Sequence, residues 1–92
     1  MAHTARDKTK LLNRIHRIRG QLNSIETALE EEHECGKVLL TLASCRGAMN
    51  SLMAEILEGH VRLHVLPTDV KPGSEQADAA EELIEVINRY LK

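Results

Sequence analysis

Between Arg6 and Leu29, the residues Leu11, Ile15, Ile18, Leu22, Ile25 and Leu29 recur at alternating steps of four and three, which is the period of one face of an α-helix. The spacing predicts a single long amphipathic helix, with Thr4 as its N-cap and Asp7 at the third helical position. The run Glu30, Glu31, Glu32, followed by His33, Glu34 and Gly36, breaks it. A second helical pattern extends from about Gly36 to Leu66. Val38, Leu42, Cys45, Met49, Leu52 and Ile56 form one seam, and Leu39, Ala43, Met53 and Leu57 add an apolar strip beside it. A helix that is apolar on adjacent sides is expected at the centre of the fold. Pro67, Pro72 and Gly73 end it and form a linker. From Ser74 onward, Ala77, Ala80, Ile84, Ile87 and Leu91 mark a short third helix that exposes Glu81, Glu82 and Glu85. The expected fold is all-α: a single domain over residues 1–92, with two long antiparallel helices and a short C-terminal one.

Composition changes this picture in one respect. The 92 residues are 42% hydrophobic, yet Tyr90 is the only aromatic, so the core must be aliphatic, which suits helix packing better than a β-sandwich. A chain this short buries only ~60 to 65% of its unfolded surface, and an aliphatic core of that size is expected to gain area by oligomerising. The second helix is the natural seam for at least a dimer, assembling into a larger bundle. The apolar runs are too short and too charged to span a membrane, and the N-terminus has no apolar segment resembling a signal peptide. Two cysteines suit a reducing cytoplasm. No nucleophile is paired with a base and no phosphate-cradling loop is present, so an enzyme is not expected.

The net charge of −2 conceals an asymmetry. Residues 1–20 carry six Lys or Arg against one Asp, whereas residues 21–92 carry six against thirteen acids. At 100° per residue, Arg6, Lys10, Arg14, Arg17 and Gln21 fall within about 80° of one another, beside the apolar stripe of the first helix. Such a row can follow the phosphates of duplex DNA with sequence-independent affinity, Gln21 adding a polar contact. It can equally be a solvated helix face. Arg46, in the mostly apolar second helix, either extends the cationic surface or pairs with an acid of the first. Lys8 and Arg19 lie on another side, and no aromatic interleaves the patch for base stacking.

His60 and His64 are four residues apart, a spacing that lets both imidazoles meet one metal ion, although surface pairs of this kind also arise by chance. Cys35 projects in the same helical direction but lies 25 residues earlier, roughly 37 Å along a helix. A shared ion therefore requires an antiparallel second copy, with Ala48 and Met49 straddling the twofold axis and two equivalent sites at the ends of the dimer. His3 precedes the first helix on an arm able to reach such a site, and after removal of Met1 the amine of Ala2 would lie beside it. A disordered terminal histidine is the competing reading. His33 reads as a solvated turn residue, His16 as exposed, and Cys45 as a buried small apolar residue.

The segment Arg14-Ile-His-Arg-Ile-Arg-Gly20-Gln21, the His33-Glu-Cys35 turn and the stretch Arg46-Gly-Ala-Met-Asn50-Ser-Leu-Met53 leading to Glu58-Gly-His60 and His64 together resemble the CsoR/RcnR/FrmR family of bacterial repressors over nearly the whole chain. The resemblance implies an all-helical dimeric four-helix bundle, or a dimer-of-dimers tetramer, that binds double-stranded operator DNA without a helix-turn-helix and releases it when an inducer occupies the dimer interface. Copper sensors of the family place a second Cys where this chain has His64. Formaldehyde sensors share Cys35 but pair it with an N-terminal proline, where this chain has Ala2. Persulfide sensors need a second facing thiol, and Cys45 is misplaced for that. The set His3, Cys35, His60 and His64 most resembles the nickel and cobalt branch. It implies Ni(II) or Co(II) as inducer, with Zn(II) also able to bind such donors, and control of a metal efflux gene. Within the same fold the alternative is a formaldehyde-responsive repressor with Cys35 as the reactive thiol. Outside it, the alternative is a helical scaffold or metal store without DNA binding.

Overall fold

The computed structural model describes residues 7–91. They form helix α1 (Lys8–Glu30), helix α2 (Cys35–His60), a π-helical turn (Val61–Val65) that continues α2, and helix α3 (Glu75–Leu91). The three predicted helices are present, and no strand occurs among the described residues.

Their ends follow local chemistry. Asp7 stands just before α1, where its carbonyl accepts from the Leu11 N–H at 3.0 Å. It does not occupy the third helical position expected of it, and Thr4 lies outside the described residues. At the other end of α1, the Glu32 N–H donates to the Leu29 carbonyl and the His33 N–H to the Ala28 carbonyl. This is the pair of closing bonds of a Schellman motif. Glu32 supplies the left-handed residue that the motif needs, at φ 54°, a conformation that glycine adopts more cheaply.

The second helix does not run uniformly to Leu66 as expected. Its α-helical part ends at His60, and a wider turn follows, closed by the Leu66 N–H bonding the Val61 carbonyl at 3.0 Å. In an α-helix, residues five apart diverge by about 140°. The i→i+5 turn brings them nearly above one another, so Val61 and Leu66 both face α3. Helix α3 begins as expected, with the Ser74 hydroxyl accepting from the Ala77 N–H at 3.2 Å, the bond of a serine N-cap.

Lys10 faces Glu55 and Gln21 faces Ser44, so α1 and α2 are antiparallel. Leu11, Ile18 and Cys45 are buried along this hairpin. A second core lies under α3, where Ala54, Val61, Ala80, Ile84 and Ile87 cluster with Leu57, Leu66 and Leu91. The protomer is a slab of 56 × 25 × 12 Å, only about one helix diameter thick. Its radius of gyration of 17.5 Å exceeds the roughly 12 Å of a compact domain of this length. One layer cannot cover a helix that is apolar on two sides. Leu39, Leu40, Leu42, Met49 and Met53 of α2 accordingly stand exposed, together with Leu22 and Leu29 of α1. Helix α2 is central, as expected, in that it packs against both α1 and α3, but its remaining apolar face stays open within one protomer. Among the described residues no helix is long and apolar enough to cross a membrane.

Candidate functional site

The cationic row of α1 lies beside α2, and its first half is paired with it. Lys10 Nζ contacts Glu55 Oε1, and Arg14 Nε lies 2.8 Å from Glu55 Oε2. Glu55 is only 17% exposed, against 32% for Arg14 and 66% for Lys10, so a largely withdrawn carboxylate holds two cations at the edge of the hairpin. Arg17 is exposed on the same face. Arg6 lies outside the described residues. Gln21 is already engaged, its amide donating to the Ser44 hydroxyl at 2.8 Å, which places it at the helix–helix contact. Arg46 is exposed at the rim of the apolar groove that Leu22, Leu39, Leu42 and Met49 line. The interhelical acid is therefore on α2 and its cations are on α1, the reverse of the pairing considered for Arg46.

At the far end of α2, the rings of His60 and His64 lie with centroids 5.4 Å apart and planes tilted by 42°. Both residues are exposed. The π-helical turn between them replaces the α-turn expected from their spacing, and the imidazoles remain neighbours. Cys35 is exposed at the first turn of α2, roughly 37 Å away along the helix. Among the described residues, no three His, Cys, Asp or Glu side chains of one protomer gather in a group able to hold an ion. His3 and Ala2 lie outside the described residues. Cys45 is buried, and His16 and His33 are exposed, His33 beside Glu31 at 3.7 Å.

The His60 to His64 segment is fastened to α3 by groups that the sequence pattern did not single out. Arg62 Nη1 donates to Glu81 Oε1 at 2.7 Å, with Glu58 3.9 Å from Nη2. The hydrogen bond and charge of Arg62 hold the Glu81 carboxyl below its usual range, and the same bond raises the guanidinium. Asn88 approaches Glu58 at 3.5 Å. The available signal was an i, i+4 acid–base pair, Glu58 and Arg62, at a helix end opposite an acidic helix.

Two neutral imidazoles and a thiolate are a donor set that suits borderline divalent ions such as Ni(II), Co(II) and Zn(II). The exposed side chains of His60, His64 and Cys35 fit that chemistry once two copies supply them.

Comparison with known proteins agrees with this architecture. The model of the metal-sensitive transcriptional repressor family matches residues 7–89. Over its whole length the chain is 48% identical to the whole of an uncharacterized protein from the bioA 5' region of Serratia marcescens. It is 39% identical, again over the full length of both chains, to the transcriptional repressor RcnR of Citrobacter koseri. A solved variant of the formaldehyde-responsive regulator FrmR from Salmonella enterica serovar Typhimurium superposes with a TM-score of 0.67 at 34% identity, covering 98% of this chain and 99% of that one.

Proposed function

The chain belongs to the family of metal-sensitive transcriptional repressors, and from that premise we propose that it binds operator DNA when metal-free and releases it on binding Ni(II) or Co(II), derepressing a metal efflux gene in the cytoplasm. One observation carries the metal half of this reading: His60 and His64 are adjacent and exposed at one end of α2 while Cys35 is exposed at the other. An antiparallel copy seated on the apolar face of α2 would bring Cys35 of the partner subunit to the histidine pair. Such a dimer buries Leu39, Leu42, Met49 and Met53, and pairing of dimers would give the tetramer.

His60, His64 and the partner's Cys35 would hold the ion, which supplies a cationic centre and a preferred coordination number. His3 and, after removal of Met1, the amine of Ala2 would complete a set of five donors, favouring nickel or cobalt over tetrahedral zinc. When they ligate, the arm before α1 is drawn toward α2 and α1 shifts with it. Lys10, Arg14 and Arg17 of α1 then lose their alignment with the phosphates and with Arg46 on α2. By linkage, DNA weakens metal binding by the same factor.

The test is anisotropy of a labelled operator fragment with reduced, metal-free protein, titrated separately with Ni(II), Co(II), Zn(II) and formaldehyde. Release by nickel or cobalt is expected, and Cys35→Ala and His64→Ala should each abolish it. The exposure of Cys35 and the likeness to a formaldehyde-responsive regulator favour one second reading, an aldehyde sensor with Cys35 as nucleophile. In that case formaldehyde alone releases the DNA, and His64→Ala leaves the response intact.

A further inference from the structure

The Glu55 contact has a consequence for the DNA reading on which it rests. The row that would face phosphates is two-thirds committed among its described cations: Lys10 and Arg14 share one carboxylate, and only Arg17 stands apart from it. We propose that Glu55 is an intramolecular counter-anion that competes with DNA phosphate for Lys10 and Arg14, and so attenuates the duplex affinity of the repressor.

Three observations support competition. Glu55 projects from α2 across the hairpin to α1, so the contact is tertiary and depends on how the two helices sit. Its carboxylate is largely withdrawn from water, and an ionised group so placed must keep a cation nearby. Lys10 and Arg14 retain enough exposure to be reached by a phosphate, and Arg14 turns Nε toward Glu55, so a phosphate meets a guanidinium whose charge is already partly neutralised. Lys10, Arg14 and Glu55 together present one net positive charge to DNA where the two cations alone would present two. The same carboxylate gives α2, which carries His60 one and a half turns further on, a direct electrostatic hold on the α1 row. Any shift between the helices that tightens the contact lowers DNA affinity, and one that loosens it raises affinity.

The test is Glu55→Gln, which keeps the size and an acceptor oxygen but removes the charge. Binding to a random-sequence 30-base-pair duplex would be measured by anisotropy across 50 to 200 mM salt. At fixed salt the variant should bind roughly fivefold tighter, the scale of one partly screened ion pair. Its dependence of log K on log salt should be steeper by about 0.9, one additional phosphate neutralised. Glu82→Gln, an equal change of net charge on the exposed face of α3, should shift affinity less than twofold. Should Glu55→Gln fail to fold, Glu55→Asp keeps the charge but shortens its reach, and must also tighten binding. Unchanged affinity, or a shift matched by Glu82→Gln, overturns the proposal. Weaker binding by Glu55→Gln also overturns it, because the carboxylate would then position Arg14 for DNA. If the folded wild-type protein binds no duplex even at 50 mM salt, the DNA reading falls with it, an outcome distinct from tight wild-type binding that is indifferent to Glu55.

Discussion

The two ends of α2 are built differently. At its C-terminal end the chain supplies its own cover: α3 closes over Ala54 and Val61 with Ala80, Ile84 and Ile87, and Arg62 is tied to Glu81. The histidine pair is thus presented on a segment fixed by tertiary packing. Toward the N-terminal end, Leu39, Leu42 and Met49 are exposed, and Cys35 opens the helix in solvent. Burial of apolar area is the main force that fixes a side chain in place, so one protomer fixes one half of the candidate site and leaves the other on a face that needs covering. Under the proposed metal reading, a site divided in this way would link effector binding to assembly.

The largest effect should come from the closed end. Ile84→Ala removes a buried branched side chain and should cost about 2 to 5 kcal/mol, lowering the unfolding midpoint by on the order of 10 °C or more. Leu40→Ala, at a position 74% exposed in the protomer, should cost less than about 0.5 kcal/mol. Thermal unfolding of both variants at equal protein concentration breaks the comparison if the two costs match, since Leu40 would then be covered by another copy as completely as Ile84 is by α3. The next effect concerns the open face. Met49→Asp places a carboxylate in the apolar strip, where an unpaired buried charge is strongly disfavoured. It should weaken self-association at least tenfold, about 1.4 kcal/mol, in sedimentation velocity, while leaving helix content unchanged. Undiminished association would remove α2 from the interface.

Much of this architecture was legible in the chain. The alternation of fours and threes in α3 names the residues that become buried, Ala80, Ile84 and Ile87, because a helix has one period, whereas in α1 it names Leu11 and Ile18, which are buried, together with Leu22 and Leu29, which stand exposed. The excess of apolar positions on α2 likewise anticipated more surface than one layer can cover. The misses share a physical origin. Spacing along one helix says nothing about what its neighbour places opposite, so Lys10 and Arg14 read as a solvent-facing row when Glu55 lies across from them, and Gln21 read as available when Ser44 had taken it. The turn from Val61 to Val65 was invisible for a similar reason. Its apolar residues fit an α pattern, and only the demand that Val61 and Leu66 both meet α3 selects the wider winding.

The smallest effect separates charge from packing at the closed end. Arg62 and Glu81 are both solvent-accessible, so their contribution is modest and screened by salt. Its pH dependence nevertheless has a definite sign. Hydrogen bonding from Arg62 and its charge lower the folded-state pKa of Glu81, while in the unfolded chain a glutamate titrates near about 4.3. Stabilisation from the pair is therefore fully present above the unfolded value and is lost as the pH falls through the folded one, where the carboxylate protonates and the bond to the guanidinium loses its charge. The midpoint gap between wild type and Glu81→Gln should be constant from pH 7 down to about pH 5 and then shrink toward zero on further acidification. Added salt at pH 7 should narrow it in the same way. A gap that persists unchanged at pH 3 would mean that Glu81 supports the π-helical turn by packing rather than by charge. In that case Ile84 and its neighbours, and not the ion pair, hold His64 in place.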